Sequence, residues 1–214
     1  LPRPMTFQLD MGGTWWQGSA CLEISRAAGV FEENVEIERA WGQGEFSDNG
    51  YWERCLPLWE GLTDAQIDHA FANAPWLDGV ENVFADISSR NEHSVVISQS
   101  PKFFVERFSQ WNVSYSFGAL VSPGDPGGAI EMISSDDKLA ITKQLLAELD
   151  LSEHECIVYG DSLSDLALFK TLKHTVGVNA KPVIRELARV AYDGTDLWSA
   201  YLAGRELLNG CNVN

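Results

Sequence analysis

The chain has 214 residues, of which 45% are hydrophobic, enough for one well-packed domain with an inserted subdomain. Its formal charge of −16 argues against a nucleic-acid partner, because phosphate neutralisation needs clustered lysine and arginine. The same charge disfavours an anionic membrane surface, and no stretch reaches the ~20 apolar residues that a membrane span needs.

Short apolar runs with the pattern of buried parallel strands alternate with helical patterns. The strand patterns are residues 6–10, 94–98, 156–160 and a weaker run at 174–178. The helical patterns between and after them are 101–111, 135–149, 163–172, 181–190 and 196–208. Segment 114–132, with turn residues at 124–128, predicts a small β excursion. The alternation predicts an α/β fold with a doubly wound, mostly parallel sheet, whose site lies at the carboxyl ends of the strands.

Residues 17–90 break the alternation with successive helical patterns. These are 17–28, 31–41, 47–60, 63–74 and 78–89. Thr63 and Gln66 have the spacing of a capping box for the fourth. We expect residues 17–90 to form a helical cap inserted over the sheet end, with residues 1–16 and 91–214 as the core. Such a cap would exclude water and contact a substrate.

Polar residues stand where three of the predicted strands end. Asp10, Ser98 and Asp161 would meet at one edge of the sheet, because parallel strands end on the same side. A carboxylate such as Asp10 can attack phosphorus, and the loop up to Thr14 can hold a phosphate through its backbone N–H groups. Asp161 and Asp165 lie four residues apart across a strand-to-helix turn, where paired carboxylates suit Mg²⁺.

These motifs, in this order and spacing, resemble those of the haloacid-dehalogenase-like (HAD) hydrolase superfamily over essentially the whole chain. The first family motif reads Asp-x-Asp-Gly-Thr and is Asp10-Met11-Gly12-Gly13-Thr14 here. The resemblance implies that Asp10 is the nucleophile, that Ser98 donates to a phosphoryl oxygen, and that Lys138 offsets negative charge. It also implies a small phosphorylated substrate.

The resemblance implies a Mg²⁺ site as well. Its protein ligands would be Asp10, the backbone carbonyl of Gly12, Asp161 and Asp165. The divalent ion would offset the repulsion between the nucleophile and a phosphate dianion.

Residues 40–58 resemble the cap of the phosphoserine-phosphatase-like branch, in which an arginine binds the substrate carboxylate. Arg54 is the matching residue. The chain departs from that branch at two points. Gln99 and Ser100 replace two glycines after the strand-end serine, and Ser19 stands where those enzymes carry a glutamate for the amino group. Thr14, Gln99, Ser100 and Arg54 are therefore predicted to contact a substrate that need not be phosphoserine.

Gly12 occupies the position of the family's general acid and base. Such a group contributes about 10²–10⁴-fold to the rate, and glycine supplies none of this, although its carbonyl can still bind a metal. Three explanations stay open. Gly12 is a substitution in a working phosphatase, or the natural enzyme either acts on a substrate with a good leaving group or uses another residue as the acid. In the third explanation, the chain is a binding protein that kept the pocket and lost the chemistry. A phosphotransferase to an acceptor other than water is a further alternative.

Two branches of the superfamily without this aspartate fit the chain poorly. Haloacid dehalogenases do not use Mg²⁺, whereas Asp161 and Asp165 have the pattern of a metal site. Phosphonoacetaldehyde hydrolases use a cap lysine, but residues 15–101 contain no lysine.

The tryptophans and cysteines complete the sequence-based expectations. The tryptophans of residues 15–76 form either an aromatic substrate pocket or ordinary helix core; they are Trp15, Trp16, Trp41, Trp52, Trp59 and Trp76. The four cysteines are widely spaced, which predicts buried free thiols in a reducing compartment. With no recognisable signal peptide, a cytoplasmic enzyme is expected, as a monomer or a homodimer.

Overall fold

A six-stranded parallel sheet forms the centre of the molecule. The computed structural model describes residues 5–9, 18–125 and 127–210. The strands are β1 (Met5–Leu9), β2 (His93–Pro101), β3 (Tyr115–Ala119), β4 (Ile157–Gly160), β5 (His174–Val178) and β6 (Val190–Tyr192). They lie in the order β3-β2-β1-β4-β5-β6, and every neighbouring pair is parallel. The predicted doubly wound α/β fold is confirmed.

Helices connect these strands in the described part of the chain. Before β2 come α1 (Ala20–Ala28), α2 (Phe31–Gly42), α3 (Asp48–Leu58), α4 (Asp64–Asn73) and α5 (Val80–Ser89). After β2 come α6 (Lys102–Val105), α7 (Ser135–Glu148), α8 (Leu166–Thr171), α9 (Pro182–Leu187) and α10 (Leu197–Gly210). At the start of α4 the predicted capping box is present, since Gln66 N donates to Thr63 Oγ1 at 3.3 Å and Thr63 N donates to Gln66 Oε1 at 3.0 Å.

Both faces of the sheet are buried, as the apolar strand runs predict. Val95, Ile97 and Val158 belong to one core cluster, with side chains from α7, α8 and α9. Val96 and Tyr159, the alternate residues of the same strands, belong to a second cluster with residues of α1, α5 and α10. The strand residues therefore alternate between two helical layers.

The helices between β1 and β2 do not all lie in the same place. Two neighbouring parallel strands need a crossover connection, which returns the chain from the carboxyl end of one strand to the amino end of the next. Helix α5 supplies it and packs against β2 and α10. Helices α1 to α4 precede this crossover. The division into a core and a cap at 17–90 stays a prediction, and α5 lies against the sheet.

Four predicted elements differ from the structure. Residues 115–119 form an edge strand of the main sheet, and only a bridge between Leu120 and Glu131 remains of the expected excursion. The pattern at 181–190 ends as a helix at Leu187, because Ala188 is extended, and the chain continues into the edge strand β6. The patterns at 101–111 and 163–172 are each part α-helix and part 3₁₀-helix.

Three of the cysteines confirm the expectation of buried free thiols. Cys21, Cys55 and Cys156 are buried and unpaired, and burial raises the pKa of Cys156 to about 12. Cys211 lies outside the described residues. No helix of the described chain is both long enough and apolar enough to cross a bilayer.

Candidate active site

The carboxyl ends of three strands bring the predicted site residues to one edge of the sheet. Leu9, the last residue of β1, is in register with Val96 of β2 on one side and Tyr159 of β4 on the other. Ser98 and Asp161 follow these partners by two residues. Asp10 comes next after Leu9 in the sequence, but Asp10, Gly12 and Thr14 lie outside the described residues.

Asp165 organises the turn that follows β4. Its Oδ2 atom accepts hydrogen bonds from the N–H groups of Asp161 and Ser162, at 3.1 and 3.2 Å. Gly160 makes room for this arrangement, because a Cβ atom there would lie 2.6 Å from Asp165 Oδ2. The 3₁₀ segment Leu163–Asp165 follows from these bonds and places the carboxylate of Asp165 beneath the turn.

Lys138 is buried next to Asp165. Its Nζ atom donates to Asp165 Oδ1 at 2.9 Å and to Ser164 Oγ at 3.0 Å, and the two charged side chains are 0% and 1% exposed. The lysine stands in the first turn of α7, which begins at a capping box formed by Ser134 and Asp137. Burial of an ion pair costs desolvation energy, so this pair needs the good geometry and the extra hydrogen bonds that it has.

The predicted Mg²⁺ ligands can be compared with these contacts. Within the described ranges, no group of three His, Cys, Asp or Glu side chains could hold a metal ion. Asp161, 8% exposed and lining a cavity, has the hard oxygen donors that Mg²⁺ prefers. Asp165 instead receives hydrogen bonds on both carboxylate oxygens. The residues fit a Mg²⁺ site only if Asp161 is joined by ligands from the segment that contains Asp10 and Gly12.

The residues after β2 combine a buried hydroxyl with two further polar groups. Ser98 is 2% exposed, and its Oγ atom accepts a hydrogen bond from Ser100 N at 3.1 Å. Because Oγ is the acceptor in that bond, the Ser98 hydroxyl can still donate. Gln99 Nε2 donates to the carbonyl of Ile133 at 3.1 Å, which fixes the amide at the site.

A cavity of about 400 Å³ lies between this sheet end and helices α1 to α3. On the sheet side it is lined by Ser98, Gln99, Ser100, Asp161 and Lys181. On the helical side it is lined by Ser19, Glu38, Trp41, Asp48, Tyr51 and Trp52. The structure thus collects the predicted residues Ser98, Gln99, Ser100 and Asp161 around one space, and Lys138 and Asp165 support its floor.

Lys181 was not predicted to belong to the site. Its N–H donates to the carbonyl of Asp161 at 2.8 Å, and its exposed side chain lines the cavity. The sequence contains a signal for it. Lys181 follows the strand run 174–178 by three residues and precedes Pro182, a residue type that often begins a helix. It therefore stands, like the other site residues, just beyond the carboxyl end of a strand.

Arg54 is not among the described residues that line the cavity. Its Nη1 atom donates to the carbonyl of Gly50 at 2.8 Å, and its guanidinium lies 4.2 Å from the ring centroid of Phe46. The predicted role in binding a substrate carboxylate thus has no support from the position of this side chain.

The tryptophans divide between the two predicted roles. Trp41 and Trp52 line the cavity. Trp59 is fully buried and donates to Ser25 Oγ at 2.8 Å, so it belongs to the helix core. Trp76 packs its ring against Phe71 and Phe108. Trp15 and Trp16 lie outside the described residues.

The chain resembles curated proteins in sequence. Seven curated proteins match the chain, each named phosphoserine phosphatase. The one from Methanocaldococcus jannaschii is 22% identical over 193 residues, which cover 88% of this chain and 92% of the relative. No family model matches the chain.

Solved structures match over a similar length. One is a phospho-aspartyl intermediate analogue of phosphoserine phosphatase, with a TM-score of 0.74, 20% identity and coverage of 94% of this chain and 99% of that one. Another is a HAD family hydrolase from Salmonella enterica, with a TM-score of 0.76, 21% identity and coverage of 94% and 72%. The chain is therefore similar in sequence to curated phosphoserine phosphatases, and its fold is that of solved structures of phosphoserine phosphatase and of a HAD family hydrolase.

Proposed function

We propose that the protein is a Mg²⁺-dependent phosphatase that hydrolyses a small phosphomonoester through an aspartyl-phosphate on Asp10. The observation that carries this proposal is the convergence of Ser98, Asp161 and the Lys138–Asp165 pair around the end of β1, directly before Asp10 in the sequence. The cavity above them is large enough for a small metabolite.

The proposed site residues would each have a separate role in the reaction at the phosphoryl group. Asp10 attacks phosphorus, the bond from phosphorus to the ester oxygen breaks, and water then releases phosphate and regenerates the carboxylate. The Ser98 hydroxyl donates to a phosphoryl oxygen. Lys138 supplies positive charge below the site, where low solvent access strengthens its field. Lys181 adds a cation at the cavity wall.

The metal would be held by Asp161 together with Asp10 and the Gly12 carbonyl. When bound, Mg²⁺ offsets the negative charge of the nucleophile and the phosphate. Asp165 orients the turn that carries Asp161, and it holds Lys138 in place. Loss of the Asp165 carboxylate would therefore disturb the positions of both Asp161 and Lys138. The cytoplasmic location and the monomeric or homodimeric state remain predictions.

Gly12 is the reason to expect weak turnover. A phospho-ligand-binding protein is one alternative, because binding alone needs no general base. A transferase to an acceptor other than water is a second alternative. If the protein is a hydrolase, we expect slow release of phosphate, and a faster release when an aspartate is restored at position 12.

The test is phosphate release from p-nitrophenyl phosphate with Mg²⁺ and with EDTA, for the parent chain, Asp10→Asn and Gly12→Asp. We expect Mg²⁺-dependent release that Asp10→Asn abolishes and that Gly12→Asp raises by ~10² or more. The exposed Asp150 provides the matched control, since Asp150→Asn makes the same change far from the site. Undiminished release from Asp10→Asn would overturn the proposed nucleophile. No release from the parent or from Gly12→Asp would overturn hydrolysis, and product formed only with an added alcohol would identify a transferase.

A further inference from the structure

The two sides of the cavity differ in charge, and this difference bears on the substrate. On the sheet side, Ser98 and Lys181 offer a hydroxyl and a cation suited to a phosphoryl group. On the helical side, the charged residues among the described lining are Glu38 and Asp48. The leaving group of a substrate bound with its phosphate at the sheet would face these carboxylates.

Glu38 is held in place at the cavity wall. Its Oε1 atom accepts hydrogen bonds from Ser19 Oγ at 2.6 Å and from Tyr51 Oη at 3.2 Å. Among the described residues, Oε2 has no hydrogen-bond partner. Half-burial raises the pKa of Glu38, with the two hydroxyl donors opposing the rise. The carboxylate is thus oriented by two neutral donors and lacks a countercharge within the described chain.

Aromatic rings stand beside this carboxylate. The ring centroids of Trp41 and Tyr51 are 5.2 Å apart, tilted by 46°. Trp41 is 43% exposed, yet its Nε1 atom donates to Asp48 Oδ1 at 3.0 Å, which fixes the indole at the cavity. Trp52 is oriented by a contact of its Nε1 with Met132 Sδ at 2.9 Å. Ring faces next to carboxylates are the recurring environment of alkylammonium groups, and a tryptophan face attracts such cations most strongly.

The described residues of the same wall offer no positively charged side chain to an anion. Arg54 is directed at Gly50 and Phe46, and the described lining of helices α1 to α3 contributes no lysine or arginine. A substrate carboxylate placed there would meet Glu38 and Asp48 and would be repelled.

From these contacts we propose, on the basis of the function proposed above, that the substrate is the phosphomonoester of an amino alcohol, bearing an alkylammonium group and no carboxylate. Phosphate binds at the sheet end, and the cationic nitrogen binds between the Glu38 carboxylate and the Trp41 and Tyr51 rings. Hydrolysis breaks the P–O bond, water supplies the oxygen of phosphate and the proton of the alcohol, and the nitrogen is unchanged.

The experiment compares 2-(trimethylammonio)ethyl phosphate with 3,3-dimethylbutyl phosphate, which has the same shape with carbon in place of the charged nitrogen. The ratio of their kcat/KM values is measured with the parent chain and with Gly12→Asp, and O-phosphoserine serves as the carboxylate-bearing probe. We expect the cationic ester to be preferred by ~10-fold or more over its neutral isostere, and phosphoserine to be the poorest of the three.

Variants test the assigned residues through the kcat/KM ratio of the cationic to the neutral ester, rather than through the absolute rate of hydrolysis. Glu38→Gln and Trp41→Leu should each lower the preference for the cationic ester several-fold. Glu33→Gln, which removes one charge from an exposed position of the same helix, is the matched control and should keep the parent ratio.

The outcomes separate this inference from the proposed function. If p-nitrophenyl phosphate is hydrolysed but the kcat/KM ratio of the cationic to the neutral ester is near one, or phosphoserine is preferred, the proposed substrate class is wrong. The proposed phosphatase activity would still hold. If neither the parent chain nor Gly12→Asp hydrolyses any ester, the proposed hydrolase activity is wrong. The dissociation constants of the two esters, measured by tryptophan fluorescence, then test the cation site. A tenfold preference in binding supports the cation site, and equal binding overturns it.

Discussion

Lys138 and Asp165 form an ion pair at 2.9 Å in which both side chains are almost completely withdrawn from solvent. One residue comes from the first turn of α7 and the other from the turn after β4. The pair therefore joins two separate segments beneath the cavity, so it acts on stability as well as on the site.

Removing one member of this pair should destabilise the fold strongly. Lys138→Met leaves the buried carboxylate of Asp165 without its cation, and such losses cost about 3–5 kcal/mol in unfolding free energy. Urea denaturation followed by circular dichroism measures the effect. Lys143→Met on the same helix is the control, because Lys143 and Glu153 are about half-exposed and their ion pair is worth less than about 1 kcal/mol. Equal losses for the two variants would contradict the structural role of the buried pair.

Gly160 should tolerate no side chain. In Gly160→Ala the new methyl group would lie 2.6 Å from Asp165 Oδ2, so either the carboxylate or the strand must move. We expect a loss of about 1–3 kcal/mol in unfolding free energy, as for other overpacked sites. Gly42→Ala, at the last residue of α2 where a Cβ atom meets nothing within 4 Å, should be neutral or slightly stabilising. A Gly160→Ala variant as stable as the parent would show that the turn can be built without this close approach.

Lys181 and Arg54 should differ in their effect on activity. Lys181→Met removes a cation from the cavity wall, and loss of a charged contact with phosphate should lower kcat/KM for p-nitrophenyl phosphate by ~10-fold or more. Arg54→Met should change kcat/KM by less than about twofold, because that side chain contacts Gly50 and Phe46. Steady-state kinetics at saturating Mg²⁺ provide the comparison. A larger loss for Arg54→Met than for Lys181→Met would contradict the placement of these two side chains relative to the cavity.

The stability of the protein should fall in mild acid because of His174. Burial lowers the pKa of this histidine, assisted by repulsion from His154, Arg189 and Lys173. The unfolded state then takes up a proton as the pH falls below about 6.5, while the native state resists it, so unfolding becomes easier. His174→Gln should therefore have a flatter dependence of unfolding free energy on pH between 7 and 5. The exposed His69 gives the matched His→Gln control, and a His174→Gln curve as steep as that of the parent would contradict the prediction.

The sheet side of the cavity could be predicted from the sequence because its determinants are local. Ser98 and Asp161 each stand at the end of an apolar run, and parallel strands end together. The helical side could not be predicted in the same way. Whether Glu38 or Arg54 faces the cavity depends on how α2 and α3 rotate about their axes when they pack, and amphipathic spacing does not fix this rotation for partly exposed helices.

The edge strands escaped prediction for a similar reason. Strand β6, residues 190–192, is short and partly exposed, so it lacks the continuous apolar run that is typical of the central strands. The parallel pairing of these residues with Val176, Gly177 and Val178 of β5, a tertiary contact, makes them a strand. Segment 115–119 likewise becomes part of the main sheet through its register with Val95 to Ile97 of β2.

The two walls of the cavity belong to different stretches of the chain. The sheet wall comes from residues 98–100, 161, 162, 164 and 181, and the helical wall comes mainly from residues 18–52. A mutation that reshapes the pocket for another leaving group can therefore arise in α1 to α3 without touching the strand ends that would carry out phosphoryl transfer. Selectivity and chemistry can therefore evolve at separate rates in this protein, and the slow turnover that we propose for Gly12 is compatible with a selective choice of ligand.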